Sequence, residues 1–325
     1  MTPDSPSATP SRKDVRVVYR GPLLDLVYRA ASVHREHNDP AQIQCSSLLN
    51  IKTGACPEDC SYCSQSAHNQ TELGPEPLME TDEVIRAAER AKAGGADRFC
   101  MGAAWRGPRD GRDFNAVLEM ITEVKALGLE TCATLGMIDE GQATKLEEAG
   151  LDFYNHNLDT SPEYYPEIIT TRTFDDRLET LAAVRKSGMK VCTGGILGMG
   201  ESEEDRIGLI HSLASLDPHP ESVPINALVP VPGTPLEDSE SLPWDQMVRA
   251  VATTRIFMPE ARVRLSAGRL SLSEEGQTLC FLSGANSIFL GDQLLTTPNV
   301  APGSDTALFE KLGLDPLPVT SAIPV

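Results

Sequence analysis

Eight short stretches that read as β-strands are separated along the chain by segments with helical periodicity. The strand-like runs are 44–51, 98–104, 129–135, 151–158, 190–197, 222–229, 261–266 and 286–291. Between them, apolar residues recur every three or four positions and stop at glycine. Val117, Leu118, Ile121 and Val124 repeat in this way before Gly128, and Leu178, Leu181 and Val184 do so before Gly188. Residues 81–95 open with acids and end on glycines, which suits the two ends of a helix. Strands alternating with helices imply right-handed crossovers and a parallel sheet. Eight is the number that closes a (β/α)8 TIM-type barrel, with its active site at the C-terminal strand ends. Periodicity alone leaves an open doubly wound sheet as an alternative. Residues 22–38 read as an N-terminal helical extension covering the barrel bottom.

A chain of 325 residues suits one such barrel, because α/β barrels run past 200 residues as a single domain. The expected division is a Pro/Ser-rich disordered tail over 1–15, the barrel over 16–300 and a C-terminal extension over 301–325. A net charge of -19 argues against duplex nucleic acid and anionic membrane as partners. No apolar run is long enough to span a bilayer, and the first residues lack the apolar stretch of a secretory signal. The expected location is cytoplasmic, where the eight cysteines stay reduced.

Three of those cysteines form the run CPEDCSYC, at Cys56, Cys60 and Cys63, directly after the first strand-like stretch. In a barrel this is a loop of the catalytic face. A structural zinc site closes with four protein ligands, and a four-iron cluster normally takes four cysteines. Neither His68 nor His156 stands at a convincing spacing for the fourth. Two readings follow: a zinc knob with a distant ligand, or a four-iron cluster with one iron left open to a small molecule.

The spacing C-x3-C-x2-C, with the aromatic Tyr62 before its last cysteine, resembles the radical S-adenosylmethionine superfamily. The resemblance implies a [4Fe-4S] cluster on Cys56, Cys60 and Cys63 whose open iron is chelated by S-adenosylmethionine, and reductive cleavage of that cosubstrate to a 5′-deoxyadenosyl radical. A second motif, GGILGMGE at 194–201, is similar to the superfamily's G-x-I-x-G-x-x-E. There Ile196 is expected to pack on adenine, while Gly194 and Gly198 let the backbone approach the ligand. An ordinary Gly-rich strand-to-helix turn would read the same way.

Cys100, Cys132 and Cys192 fall inside the second, third and fifth strand-like runs. Any one alone reads as a small buried hydrophobe. Three on separate barrel strands, with Arg262 and Arg264 on the seventh, can surround one buried centre, because inward residues from different strands meet in layers. From about Val18 to Asn299 the chain resembles the biotin synthase family. The runs that carry it include CPEDCSYCSQS, RFCMGAAWR, YNHNLDTS, TTRTFDDRL, VPINALVPVPGTPL, VRLSAGR, CFLSGANSIFLG and LLTTPN. The resemblance implies that Cys100, Cys132, Cys192 and Arg264 hold a [2Fe-2S] cluster that donates sulfur to dethiobiotin. An arginine ligand does not follow from chemistry alone, since guanidinium is normally protonated.

In YNHNLDT, Asn155, Asn157 and Asp159 alternate, which on a strand places them on one face. By resemblance, Asn157 and Asp159 hold the cosubstrate ribose or the substrate, Asn226 the ureido group of dethiobiotin, and Arg177 the methionyl carboxylate. Arg177 could otherwise be a solvated helix charge. The family further implies an electron donor such as flavodoxin or ferredoxin, iron–sulfur assembly proteins and a homodimer. Cys45 and Cys280 read as structural. One rival is a lipoyl synthase or thiazole-pathway enzyme, although the second short cysteine motif of lipoyl synthases is absent. Another is a non-enzymatic iron–sulfur carrier or zinc module.

Overall fold

The computed structural model describes residues 9–291 and 293–318. Eight parallel staves close into a barrel. They are β1 (Gln42–Lys52), β2 (Arg98–Ala103), β3 (Glu130–Thr134), β4 (Phe153–Asn155), a fifth stave split into β5 (Lys190–Cys192) and β6 (Gly195–Leu197), then β7 (Ser222–Ala227), β8 (Arg262–Leu265) and β9 (Ser287–Leu290). β9 pairs in parallel with β1, which makes the sheet a cylinder and removes the open-sheet alternative.

Eleven helices are described: α1 (Arg12–Tyr19), α2 (Leu23–His37), α3 (Thr81–Ala93), α4 (Arg112–Ala126), α5 (Glu140–Glu148), α6 (Tyr165–Ile168), α7 (Phe174–Ser187), α8 (Glu203–Ala214), α9 (Trp244–Phe257), α10 (Glu274–Leu282) and α11 (Pro302–Leu312). Their inward stripes meet the outer faces of the staves. On α4 this stripe is Phe114, Val117, Met120, Ile121 and Val124, all buried, with Leu118 at its edge. The strand-like run 190–197 is broken at Thr193 and Gly194, because β5 and β6 pair with different stretches of β7.

One expectation changes at the ends of the chain. The disordered tail does not reach residue 15, because Ser11 and Asp14 form a capping box that starts α1. Residues 1–8 lie outside the described residues. α2 lies along α9 and α10, with Leu26 and Ala30 packed on Ala252. Its C-cap reaches the strand entrances, where Asn38 donates to Pro259 O at 2.9 Å. The described part of the C-terminal extension packs on the barrel, with Leu308 and Phe309 of α11 in the core and β12 (Asp315–Pro316) paired with the start of β1; residues 319–325 lie outside the described residues. A small hairpin, β10 (Gln293–Leu294) and β11 (Thr297–Pro298), leans over the C-terminal mouth.

Within α2, His34 is buried, its Nδ1 has no partner, and burial followed by the nearby Arg255, Arg35 and Arg262 lowers its pKa to about 4. The unfolded chain therefore binds a proton that the fold rejects between pH ~6.5 and ~4. Stability held above pH ~6.5 is lost as the pH falls through that window. In thermal denaturation followed by circular dichroism, the melting temperature should drop between pH 7 and pH 5, and His34→Leu should show a smaller drop.

Candidate active site

Beyond β1 the chain enters a loop that folds on its own backbone. Cys56 N donates to Gln65 O at 3.0 Å, Ala67 N to Cys56 O at 2.7 Å, and Asn69 Nδ2 to the carbonyls of Cys60 and Cys63 at 3.1 and 2.8 Å. Gly54 and Ala55 take positive φ values of 66° and 53°, which turns the strand back over the barrel mouth. Cys56, Cys60 and Cys63 all line one cavity of about 330 Å³ at the C-terminal end of the barrel. Burial raises all three thiols, Cys60 to about 12 and Cys63 to about 11, so metal binding must displace their protons.

The cavity's wall carries the polar residues. Tyr62 donates its hydroxyl to Asp159 Oδ2 at 2.8 Å, and Arg177 Nη2 donates to the same oxygen. Arg177 is buried rather than solvated, and its Nε donates to Tyr165 OH at 2.8 Å. Asp159 Oδ1 makes no hydrogen bond among the described residues. Asn155, Asn157 and Asp159 do not share a face by strand alternation, because β4 ends at Asn155. They line the cavity by another route: Asp159 adopts φ 66° and forms an isolated bridge to Gly195, which bends the chain back along β6.

Gly194 does not border the cavity. A Cβ there would stand 1.9 Å from Pro224 O of β7, so the close approach of two staves, not of a ligand, demands glycine. Because the obstacle is backbone, Gly194→Ala should cost about 1–3 kcal/mol or more and displace Ile196. A lower melting temperature together with weaker S-adenosylmethionine binding by calorimetry would show this. Glu201, the last motif position, is inside the fold: its carboxylate accepts from Gly198 N at 2.9 and 3.0 Å and from Met199 N at 2.7 Å. Ile196 and Asn226 both face the cavity. Asn226 Nδ2 donates to Gly195 O at 2.9 Å and its Oδ1 accepts from Ala267 N at 3.1 Å, which leaves one N–H and one lone pair free.

Deeper in, Cys100 and Cys132 stand opposite each other in register on β2 and β3. Cys192 of β5 joins them in a small apolar cluster with Phe153, Phe289 and Leu294. The neighbouring thiols raise Cys132 well above the usual thiol range, while proximity to Cys132 and then Arg264 and Arg98 lower Cys100 and Cys192. Arg264 is wholly buried, with Nε donating to Ser287 Oγ and Nη2 to Ser46 Oγ, each at 3.0 Å. Its guanidinium lies 4.4 Å from the centre of the Phe289 ring. Cys45 and Cys280 are buried outside this cavity, both pushed up to about 12 by burial.

Three residues that sequence reasoning left without a role border the same space or its thiols. Arg172 Nη2 donates to Cys60 Sγ at 3.6 Å. His156 is kept neutral by burial and the nearby Arg177 and Arg172, and its Nε2 is unpartnered. The third is Arg98. Arg172 lies in the run TTRTFDDRL and was legible only as part of that run.

Among the described residues no three His, Cys, Asp or Glu groups gather tightly enough to hold one metal ion. Thiolates of an iron–sulfur cluster bond separate irons and can stand farther apart than the ligands of one zinc. The donor chemistry on both levels of the cavity fits such clusters.

The Radical SAM superfamily sequence model matches residues 50–213, and the Biotin and Thiamin Synthesis associated domain matches 224–315. A biotin synthase of Acinetobacter baumannii is 59% identical over 318 residues, covering 97% of this chain and 96% of that protein. The chain belongs to the biotin synthase family. A biotin synthase of Chromohalobacter salexigens is 61% identical over 308 residues, covering 95% of this chain and 83% of its own length. Among solved structures, methylornithine synthase (PylB) superposes with a TM-score of 0.79 at 21% identity, covering 95% of both chains, and shares the fold. Membership of the radical SAM superfamily implies a four-iron cluster and S-adenosylmethionine. For a biotin synthase family chain, the two thiol levels and the polar wall between them are the features that need a chemical account.

Proposed function

We propose that this chain inserts sulfur between two saturated carbons of dethiobiotin to form biotin, as a radical S-adenosylmethionine sulfurtransferase. One observation carries the reading: two separate thiol sets meet at a single cavity, Cys56, Cys60 and Cys63 from a loop and Cys100 and Cys132 from inner strand faces, with Cys192 clustered beside the latter. The C–H bonds to be replaced hold no acidic proton, so a general base has nothing to remove, and no such base is needed in the wall. When bound, the four-iron cluster with S-adenosylmethionine supplies hydrogen-atom abstraction, and a two-iron cluster supplies the sulfur.

The protein's part is binding, orientation and exclusion of water. Cys56, Cys60 and Cys63 would hold the four-iron cluster that binds the cosubstrate. Asp159, fixed by Tyr62 and Arg177, offers its free Oδ1 to a ribose hydroxyl, and Asn157 borders the same end. Arg177 also meets the methionyl carboxylate, and Ile196 packs on adenine. Asn226 has one N–H and one lone pair to spare, which matches the donor and acceptor of a ureido group. Cys100, Cys132, Cys192 and Arg264 would hold the two-iron cluster. Leu48, Phe289 and Leu294 line the space with apolar surface that keeps water from reactive carbon.

An external reductant such as flavodoxin or ferredoxin, iron–sulfur assembly proteins, a homodimeric state and a cytoplasmic location complete the proposal. None of the described helices is long and apolar enough to cross a membrane. The test is anaerobic reconstitution with iron, sulfide and reductant, followed by identification of products. Dethiobiotin should stimulate S-adenosylmethionine cleavage and emerge as biotin, while octanoyl-carrier substrates stay unchanged. Thiolation of the octanoyl chain and not of dethiobiotin would instead mark a lipoyl-type enzyme.

A further inference from the structure

Arg98 opens β2, two residues before Cys100 and on the same face of the strand, and it is 1% exposed. The proposed function gives it no task. Its guanidinium lies 3.6 Å from the centre of the Phe153 ring, in the cluster that contains the three strand cysteines. Nε and Nη2 are held by Glu130 at 2.7 and 2.6 Å, but Nη1 is buried and has no partner among the described residues. A buried donor left unpaired is costly and uncommon in a settled core. The two halves of the ion pair also sit in different surroundings: the Glu130 side chain is 29% exposed and that of Arg98 1%. Water screens the anion more than the cation, so a net positive field extends into the dry interior. Burial opposes the charge on Arg98, while Glu130 and then the strand thiols of Cys132, Cys100 and Cys192 favour it. Arg264, by contrast, is anchored by neutral hydroxyls.

We propose that Arg98 is a positioning residue for the strand-cysteine centre: a fixed cation that binds no iron but raises the reduction potential of the two-iron cluster. This rests on the reading of Cys100, Cys132, Cys192 and Arg264 as the donors of that cluster. A permanent positive charge close by in a low-dielectric interior stabilises the more negative, reduced state. The ring of Phe153 on one side and Glu130 at the base hold the guanidinium in place, so its field does not relax when the cluster changes charge.

The experiment is anaerobic redox titration of the reconstituted full-length protein, followed by absorption and electron paramagnetic resonance, on wild type, Arg98→Gln and Arg98→Lys. Arg98→Gln should lower the two-iron midpoint so that the reduced fraction at a fixed poise falls about tenfold, or about 59 mV for one electron. Arg98→Lys should restore most of the wild-type value, and the four-iron signal of the loop should titrate unchanged in all three. A wild-type midpoint in Arg98→Gln would overturn the proposal, as would a shift in Arg98→Lys as large as in Arg98→Gln, since loss of shape rather than charge would then be responsible. If Arg98→Gln assembles no two-iron centre, Arg98→Lys decides: a normal centre and midpoint support the charge role, and failure of both variants overturns it. Absence of a two-iron signal from wild type would instead remove the underlying cluster reading, and the proposal with it.

Discussion

Cys60→Ala is expected to abolish S-adenosylmethionine cleavage while leaving the barrel folded. Cys60 is buried at the centre of the loop, and the cluster has only three protein bonds, so losing one leaves two irons without protein ligands and no defined open position. The loop backbone is tied to itself and to Ile168 independently of the thiol, since Ser61 N donates to Ile168 O at 3.0 Å and Asn69 holds the flanking carbonyls. The melting temperature should therefore move little. Cys56→Ala and Cys63→Ala should behave alike. The measurement is 5′-deoxyadenosine formed under dithionite or a flavodoxin system, with the melting temperature as the control for folding. Normal 5′-deoxyadenosine formation in all three single variants would end the radical-enzyme reading.

Cys132→Ala should strip or distort the two-iron spectrum, leave the four-iron signal intact and stop biotin formation at sulfur transfer. Cys132 stands opposite Cys100 in register and shares an apolar cluster with Cys192, and among the described residues that cluster holds no fourth thiol to take its place. Arg264→Ala should be milder. Arginine is a weak donor, and the hydroxyls of Ser46 and Ser287 that now accept from it would remain beside the vacated position with room for water. Mössbauer and absorption spectra of the two variants, with quantified biotin, separate these outcomes. If Cys132→Ala kept a normal two-iron spectrum and full biotin formation, the strand cysteines would be packing residues only.

The barrel was legible because its pattern is physical: alternating runs, glycine stops and a count of eight. What the sequence hid was three-dimensional. The break at Thr193 and Gly194 depends on how β7 pairs, which periodicity cannot express. Asn157 and Asp159 reach the cavity through a positive-φ turn, not through strand alternation, although Asp tolerates that conformation better than most residues. Gly194 looked like a ligand glycine and is a strand-packing glycine. The cluster loop needed only spacing, whereas Arg98, Arg172 and His156 became visible once burial and missing partners could be read. Arg264 was legible through family resemblance alone.

The pairing of β9 with β1 also fixes an order of events during synthesis. β1 leaves the ribosome with the loop cysteines just behind it, yet its second neighbour, β9, lies more than two hundred residues downstream. Until then the nascent cylinder carries a bare strand edge, an invitation to mispairing. The strand thiols wait as well, since Arg264 comes from β8, the last stave but one. The loop thiols are thus complete early in translation, whereas the inner donor set lacks Arg264 until β8 has been made. Iron delivered during translation would find the first and not the second.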